Sequence, residues 1–272
     1  MFWQRALVTI FLLPLGVAAV YFGGIPFFLL VGAFMLLAAY EYVRMFRLAG
    51  YRPAGIIVVG GVLLILLGRI LHGFQSAPGL ITLLILLSIT YHLVAYERGR
   101  DQSATDFGLT LGGIFYIGWL GAYFYSLRDM PDGAWWFWMA LAPVLLADSM
   151  AYAVGKNFGR RKLSPRLSPK KTWEGYWAGV VVGTLSGLGL GFLFQALYGP
   201  GSPITPLRGL LVGLVMSVLT TLGDLGESMF KRQLGVKDSG NLLPGHGGFF
   251  DRIDAWLWAV AIGYYLAQWF IS

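Results

Sequence analysis

The chain has 272 residues, of which 57% are hydrophobic and only 12% charged, against about 25% charged in an ordinary soluble domain. Twenty Lys and Arg against 13 Asp and Glu give a net charge of +7, and the mean hydropathy is +0.68. So little charge cannot cover a soluble fold of this size, which excludes a soluble enzyme, and so much apolar sequence excludes disorder. The class that remains is a polytopic integral membrane protein. There is no cysteine, so disulfides, thiolate metal sites and a thiol nucleophile are ruled out. A basic chain can serve nucleic acid, but in a membrane protein the excess more often marks inner loops facing anionic lipid. Membrane lipids are therefore expected as partners and nucleic acid is not.

Long apolar runs without alternating polarity predict an all-α fold rather than a barrel. A helix crosses the hydrocarbon with about 20 residues. In chain order, nine spans are expected near 6–22, 25–43, 54–72, 78–96, 107–126, 135–154, 174–198, 207–230 and 252–271. The first lacks a small-residue cleavage pattern around Gly23–Pro26, so it reads as a retained span rather than a removed signal peptide. Spans one to five form an N-terminal region (1–134), and spans six to nine a C-terminal catalytic region (135–272). With the N-terminus in the cytoplasm, 17 of the 20 basic residues fall in inner loops, and only Arg69, Arg128 and Arg208 fall outside. That asymmetry sets the orientation, with the N-terminus in and the C-terminus out. The 38 glycines cluster within spans, as in 183–191. Small residues let helices approach closely, which favours a compact bundle and permits a homodimer.

Asp148, Glu174, Asp224, Glu227, Asp251 and Asp254 lie near the cytoplasmic ends of the last four spans. Carboxylates at such depth are costly and mark a functional site by default. Several converging in one cavity suit a hard divalent cation, Mg²⁺ where phosphates share the coordination. At the end of span eight, Asp224, Glu227, Ser228 and Lys231 recur at i, i+3, i+4 and i+7 and so share one helix face. Intrahelical ion pairs at a solvated helix end would give the same pattern. The segment that follows contains Pro244-Gly245-His246-Gly247-Gly248, whose backbone could approach an anion closely. Asp251 and Asp254 then open span nine, where capping alone would explain one of them. His246 could act as a base or as a phosphate donor. The loop 155–173 holds seven positive charges and no negative one. Anchoring to headgroups accounts for part of this. Ser168-Pro169-Lys170-Lys171-Thr172, ahead of Glu174, reads as a turn feeding a helix start and able to grip phosphate.

These residues resemble a known family. Ser228-x-x-Lys231-Arg232-x4-Lys237-Asp238 followed by Pro244-Gly245-His246-Gly247-Gly248-x-x-Asp251-Arg252-x-Asp254 is similar to the signature of the phosphatidate cytidylyltransferases, or CDP-diacylglycerol synthases. Asp148-Ser149-x-x-Tyr152 and Ser168-Pro169-Lys170-Lys171-Thr172-x-Glu174-Gly175 match as well. The resemblance implies nucleotidyl transfer from CTP to phosphatidic acid, giving CDP-diacylglycerol and pyrophosphate with Mg²⁺, at the cytoplasmic face of a bacterial inner membrane. On this reading Asp224 and Asp251, with Asp148 and Asp254, hold Mg²⁺ and leave room for a second cation such as K⁺. Asp224, Asp251, Ser228 and Lys231 form the catalytic set. Lys231, Arg232, Lys237, Asp238, His246, Gly247, Gly248 and Arg252 face CTP, and Ser168, Lys170, Lys171 and Thr172 the lipid phosphate. Three other classes stay open. A cation-coupled transporter would place its acids at the midplane between repeats. A CDP-alcohol phosphotransferase would need an Arg after Asp132-Gly133-Ala134, where tryptophans stand. A CTP-dependent lipid kinase is mechanistically close.

Overall fold

The computed structural model describes residues 14–242 and 247–271. Arg5, the start of the first expected span, Pro244, Gly245 and His246 lie outside the described residues, while 14–22 is helical. The helices are α1 (Gly24–Leu48), α2 (Gly55–His72), α3 (Ala77–Glu97), α4 (Ser103–Gly113), α5 (Tyr123–Arg128), α6 (Gly133–Phe158), α7 (Trp173–Tyr198), α8 (Pro206–Leu219), α9 (Thr221–Gln233) and α10 (Phe250–Ile271). One feature departs from the all-α expectation. The basic stretch read as a turn forms two antiparallel strands, β1 (Lys162–Ser164) and β2 (Ser168–Thr172), with Lys162 opposite Thr172 and Ser164 opposite Ser168.

Among the described residues, six helical stretches are long and apolar enough to cross a membrane: Gly24–Leu48, Gly55–Glu97, Ser103–Arg128, Gly133–Phe158, Trp173–Tyr198 and Pro206–Gln233. Gly55–Glu97 has 43 residues, about 65 Å if straight and roughly twice the hydrocarbon thickness. It is in fact two helices turned back at the 3₁₀ turn Gly73–Ser76, because Gly61 of α2 lies against Leu84 of α3, and Gly68 against Leu80. Pro206–Gln233 breaks at Thr220 into α8 and α9. The last expected span, α10, falls outside the six, since its acids, aromatics and Gln268 dilute its apolar content. Large apolar side chains such as Ile56, Trp177, Leu193 and Trp269 are exposed, as lipid-facing residues must be.

The chain divides into two compact units, residues 1–126 with 231–253, and residues 127–230 with 254–272. In the first, Tyr42 of α1 donates to Leu109 O at 3.0 Å, and Gly113 sits against its ring and against Val58. Beyond Gly113 the chain makes a π-helical turn, Ile114–Trp119, where Gly118 admits the backbone of Val62. Two buried polar side chains of α4 are paired across the unit, which offsets the cost of drying them. Asp106, fully buried, binds Arg100 at 2.7 Å and accepts from Arg52 N at 2.8 Å. Thr110 accepts from Ala54 N and bonds His92 Nε2, both at 2.9 Å. The loop between α1 and α2 is thereby tied to α4. Arg69, counted as an outer-loop charge in the sequence, is buried. Its guanidinium lies 3.5 Å from the Phe74 ring centroid, near Trp119 and Tyr123, and donates to Ser126 Oγ at 2.8 Å.

In the second unit α7 is the centre, and its glycines explain why. Gly175, Gly179, Gly183, Gly187 and Gly191 recur every four residues and are all buried. A Cβ on Gly179 would stand 2.7 Å from Ala147 O of α6, and one on Gly191 2.7 Å from Thr205 O at the start of α8. Gly187 faces Gly209 and Gly213 of α8. The upper stripe thus brings α6 against α7, and the lower one brings α8 against it. These are the glycines that seemed to permit a homodimer, and they are covered within the chain.

Candidate active site

Each unit carries one cluster of the residues singled out in the sequence. In the second unit, the hairpin leads directly into α7. Thr172 caps that helix, its Oγ1 accepting from Gly175 N at 3.2 Å, and Glu174 accepts from Arg160 N at 3.0 Å and Arg161 N at 3.1 Å. Glu174 therefore closes the loop onto the helix start. Alternation along β2 separates Lys170 from Lys171. Lys170 is exposed, whereas Lys171 reaches Asp224 of α9, with Nζ 2.5 Å from Oδ2. Ser228, one turn further along α9, donates to the other oxygen of Asp224 at 3.5 Å. Asp148 of α6 lies within electrostatic reach of both Lys171 and Asp224. Three elements distant in sequence thus deliver two carboxylates and one ammonium to a single place. Gly223 permits close packing there, since a Cβ on it would stand 2.6 Å from Asp254 O. Asp254 is buried, with Oδ1 2.6 Å from Ala255 N. Glu227 is also buried.

In the first unit the centre is Asp251, in the first turn of α10. Its Oδ1 lies 2.7 Å from Lys231 Nζ. Its Oδ2 accepts from Ser239 N and Ser239 Oγ, each at 3.0 Å, and from Gly248 N at 2.8 Å. Gly248 of the motif does bring its backbone close to an anion, and here that anion is a side chain of the protein. Gly247 has φ +81°, a conformation glycine adopts without strain, and a Cβ there would lie 2.8 Å from Asp251 Oδ2. Arg232, Lys237, Asp238 and Arg252 are exposed. Ser168 is half-buried on β2.

One residue of this cluster was missed in the sequence. Glu41 of α1 is fully buried, and its Oε2 accepts from Phe250 N at 3.0 Å and Ser239 Oγ at 3.3 Å. Gly240 and Gly248 pack directly on the carboxylate. An acid inside the 25–43 span was the available signal, of the kind that marked Asp148 and Asp224.

Carboxylate oxygens are the donor type that a hard divalent cation takes. Each first-choice carboxylate, Asp224 and Asp251, already holds a cationic group against one oxygen. Among the described residues no three His, Asp or Glu side chains gather as a metal cage. Mg²⁺ does not demand one, because it commonly binds through one or two carboxylates, with phosphate oxygens and water completing the shell.

The model of a family described as the cytidylyltransferase family matches residues 3–270. The chain is 35% identical over 268 residues to a Bacillus subtilis protein named phosphatidate cytidylyltransferase, covering 97% of this chain and 96% of that one. A Pseudomonas aeruginosa protein of the same name is 35% identical over 272 residues, covering 95% and 94%. One from Mycobacterium leprae is 33% identical over 237 residues, covering 81% and 72%.

Proposed function

We propose that this chain, which belongs to the cytidylyltransferase family, is a phosphatidate cytidylyltransferase, a multi-pass membrane enzyme that makes CDP-diacylglycerol for phospholipid synthesis. The observation that carries the reading is similarity to relatives of that name along nearly the whole chain. A phosphate oxygen of phosphatidic acid attacks the α-phosphorus of CTP. The bond from that phosphorus to the oxygen bridging to the β-phosphate breaks, and pyrophosphate leaves. Phosphatidate is already ionised near neutral pH, so its oxygen needs no protein base, and His246 is given no such role. Catalysis then rests on positioning and charge neutralisation.

Asp224 and Asp251, with Asp148 and Asp254, are assigned to Mg²⁺, which when bound would neutralise phosphate charge; a second cation such as K⁺ would add to it. Lys231, which holds Asp251, is suited to exchange that carboxylate for a CTP phosphate, with Arg232, Lys237 and Arg252 nearby in sequence. Lys171 stands in the same relation to Asp224, and Lys170 and Ser168 are left for the lipid phosphate. Nine spans, an inner N-terminus and a cytoplasmic site complete the proposal; its support is the 17-to-3 division of basic residues.

The test is transfer of label to detergent-dispersed phosphatidate. Label from [α-³²P]CTP should enter the lipid, and label from [γ-³²P]CTP should appear only in pyrophosphate. Lipid labelled from the γ-position would make the chain a kinase and overturn the proposal.

A further inference from the structure

Glu41 stands out on three counts. It comes from α1, some two hundred residues from the motif in sequence. It is a carboxylate with no exposed surface in a helix apolar enough to cross a membrane. Nothing in the reaction scheme uses it. A carboxylate so placed loses its hydration, a heavy cost unless its neighbours compensate, so its contacts should explain its presence.

Those contacts converge on Asp251. Glu41 Oε2 accepts from Phe250 N and shares with Asp251 Oδ2 the single proton of the Ser239 hydroxyl. Ser239 supplies two of the three donors to Asp251 Oδ2, and Phe250 precedes Asp251 in the chain. The third donor, Gly248 N, belongs to a residue packed against Glu41 itself. Glu41 thus grips both approaches to Asp251, namely the strand of chain that ends at Ser239 and the first peptide of α10. A side chain at 240 or 248 would occupy the place of the Glu41 carboxylate, so Gly240 and Gly248 also serve this grip.

We infer that Glu41 is a positioning residue. As a buried acceptor it holds Ser239 and the start of α10 so that the Asp251 carboxylate, and the Lys231 ammonium on it, point where the reaction needs them. Glu41 touches neither substrate. The inference rests on the assignment of Asp251 and Lys231 to the reaction. What matters in Glu41 is the place of one acceptor oxygen, not its charge.

That distinction gives the experiment. Steady-state kinetics with CTP and phosphatidate are measured in detergent on the full chain, with Glu41→Gln, Glu41→Asp and Asp251→Asn, alongside thermal unfolding. Glutamine keeps an acceptor at the same reach, so Glu41→Gln should stay within about threefold of the parent. Aspartate keeps the charge but withdraws the acceptor by one methylene. Glu41→Asp should therefore lose about 10- to 100-fold in kcat/KM for CTP, the range typical of groups that orient a ligand-binding side chain. Its KM for phosphatidate should change by less than threefold. Glutamine as damaging as aspartate, or aspartate as active as the parent, would overturn the inference. So would a loss in Glu41→Asp that tracks its unfolding midpoint and falls equally on both substrates. Asp251→Asn separates the two levels of the argument. If it keeps full activity, the assignment of Asp251 itself is wrong. If it is inactive while Glu41→Asp is normal, only the role of Glu41 fails.

Discussion

Asp251 and Lys231 form a largely buried pair, with side chains 7% and 13% exposed, and they sit among donors that leave the carboxylate well ordered. Removing one partner of such a pair costs more than losing a surface ion pair, because the other charge is left without compensation. On the proposed assignment of Asp251 to Mg²⁺, Asp251→Asn should lower kcat by at least about 100-fold, since groups one step further from a metal already cost 10–100-fold. Activity within a few-fold of the parent, in a variant with an unchanged unfolding midpoint, would remove Asp251 from the reaction. Lys231→Ala should raise the KM for CTP or lower kcat. A change confined to phosphatidate kinetics would show that the ammonium serves the other substrate. At this scale the sequence was informative wherever chemistry-bearing residues stand close together, as at 224–231 and 247–254. Asp148 was legible as an acid inside an apolar run. Glu41 carried the same signal, but its tie to Ser239 and Phe250 depends on a contact across some two hundred residues that no local pattern encodes.

Helix α7 shows what glycine spacing does for an element. Five glycines at intervals of four put a bare stripe along one side, and the backbones of α6 and α8 lie against it. Gly187→Val would drive two methyl groups into Gly209 and Gly213, so it should destabilise the second unit by about 1–3 kcal/mol, the usual cost of overpacking. An unchanged midpoint in detergent would mean that the helices are less closely seated than the structure shows. Thr172→Ala removes the cap of α7 and should cost about 1 kcal/mol. It should also impair turnover, because Lys171 is fixed by the same strand end. Helix positions were legible from apolar run length, and the bounds of α2, α3 and α7 differ by only a residue or so from those expected. The β1–β2 hairpin was not legible, because Ser-Pro and Lys-Lys steps carry the composition of a loop and the pairing of Lys162 with Thr172 spans a basic turn. The destination of the glycine stripe was also hidden, since spacing alone does not distinguish a neighbour in the same chain from a second copy.

For the whole molecule, basic-residue asymmetry makes a claim about orientation that the absence of cysteine allows to be tested cleanly. Single cysteines replacing Gln102 or Arg166 should react with an impermeant thiol reagent only from the cytoplasmic side, and one replacing Ser202 only from outside. Labelling of the Ser202 position from within would reverse the topology. Apolar composition made membrane insertion evident, yet the division into two units could not be read from hydropathy, because each unit is assembled from two separate stretches of chain. The central claim remains that carboxylates of this chain hold the cation used in cytidylyl transfer. Its most direct test is to strip divalent ions with EDTA and titrate Mg²⁺ back while following CDP-diacylglycerol formation by the parent, Asp224→Asn and Asp251→Asn. The account predicts no product without Mg²⁺, and a Mg²⁺ midpoint at least about tenfold higher in both variants. Product formed at full rate in EDTA, or variants with the parent's midpoint, would contradict it.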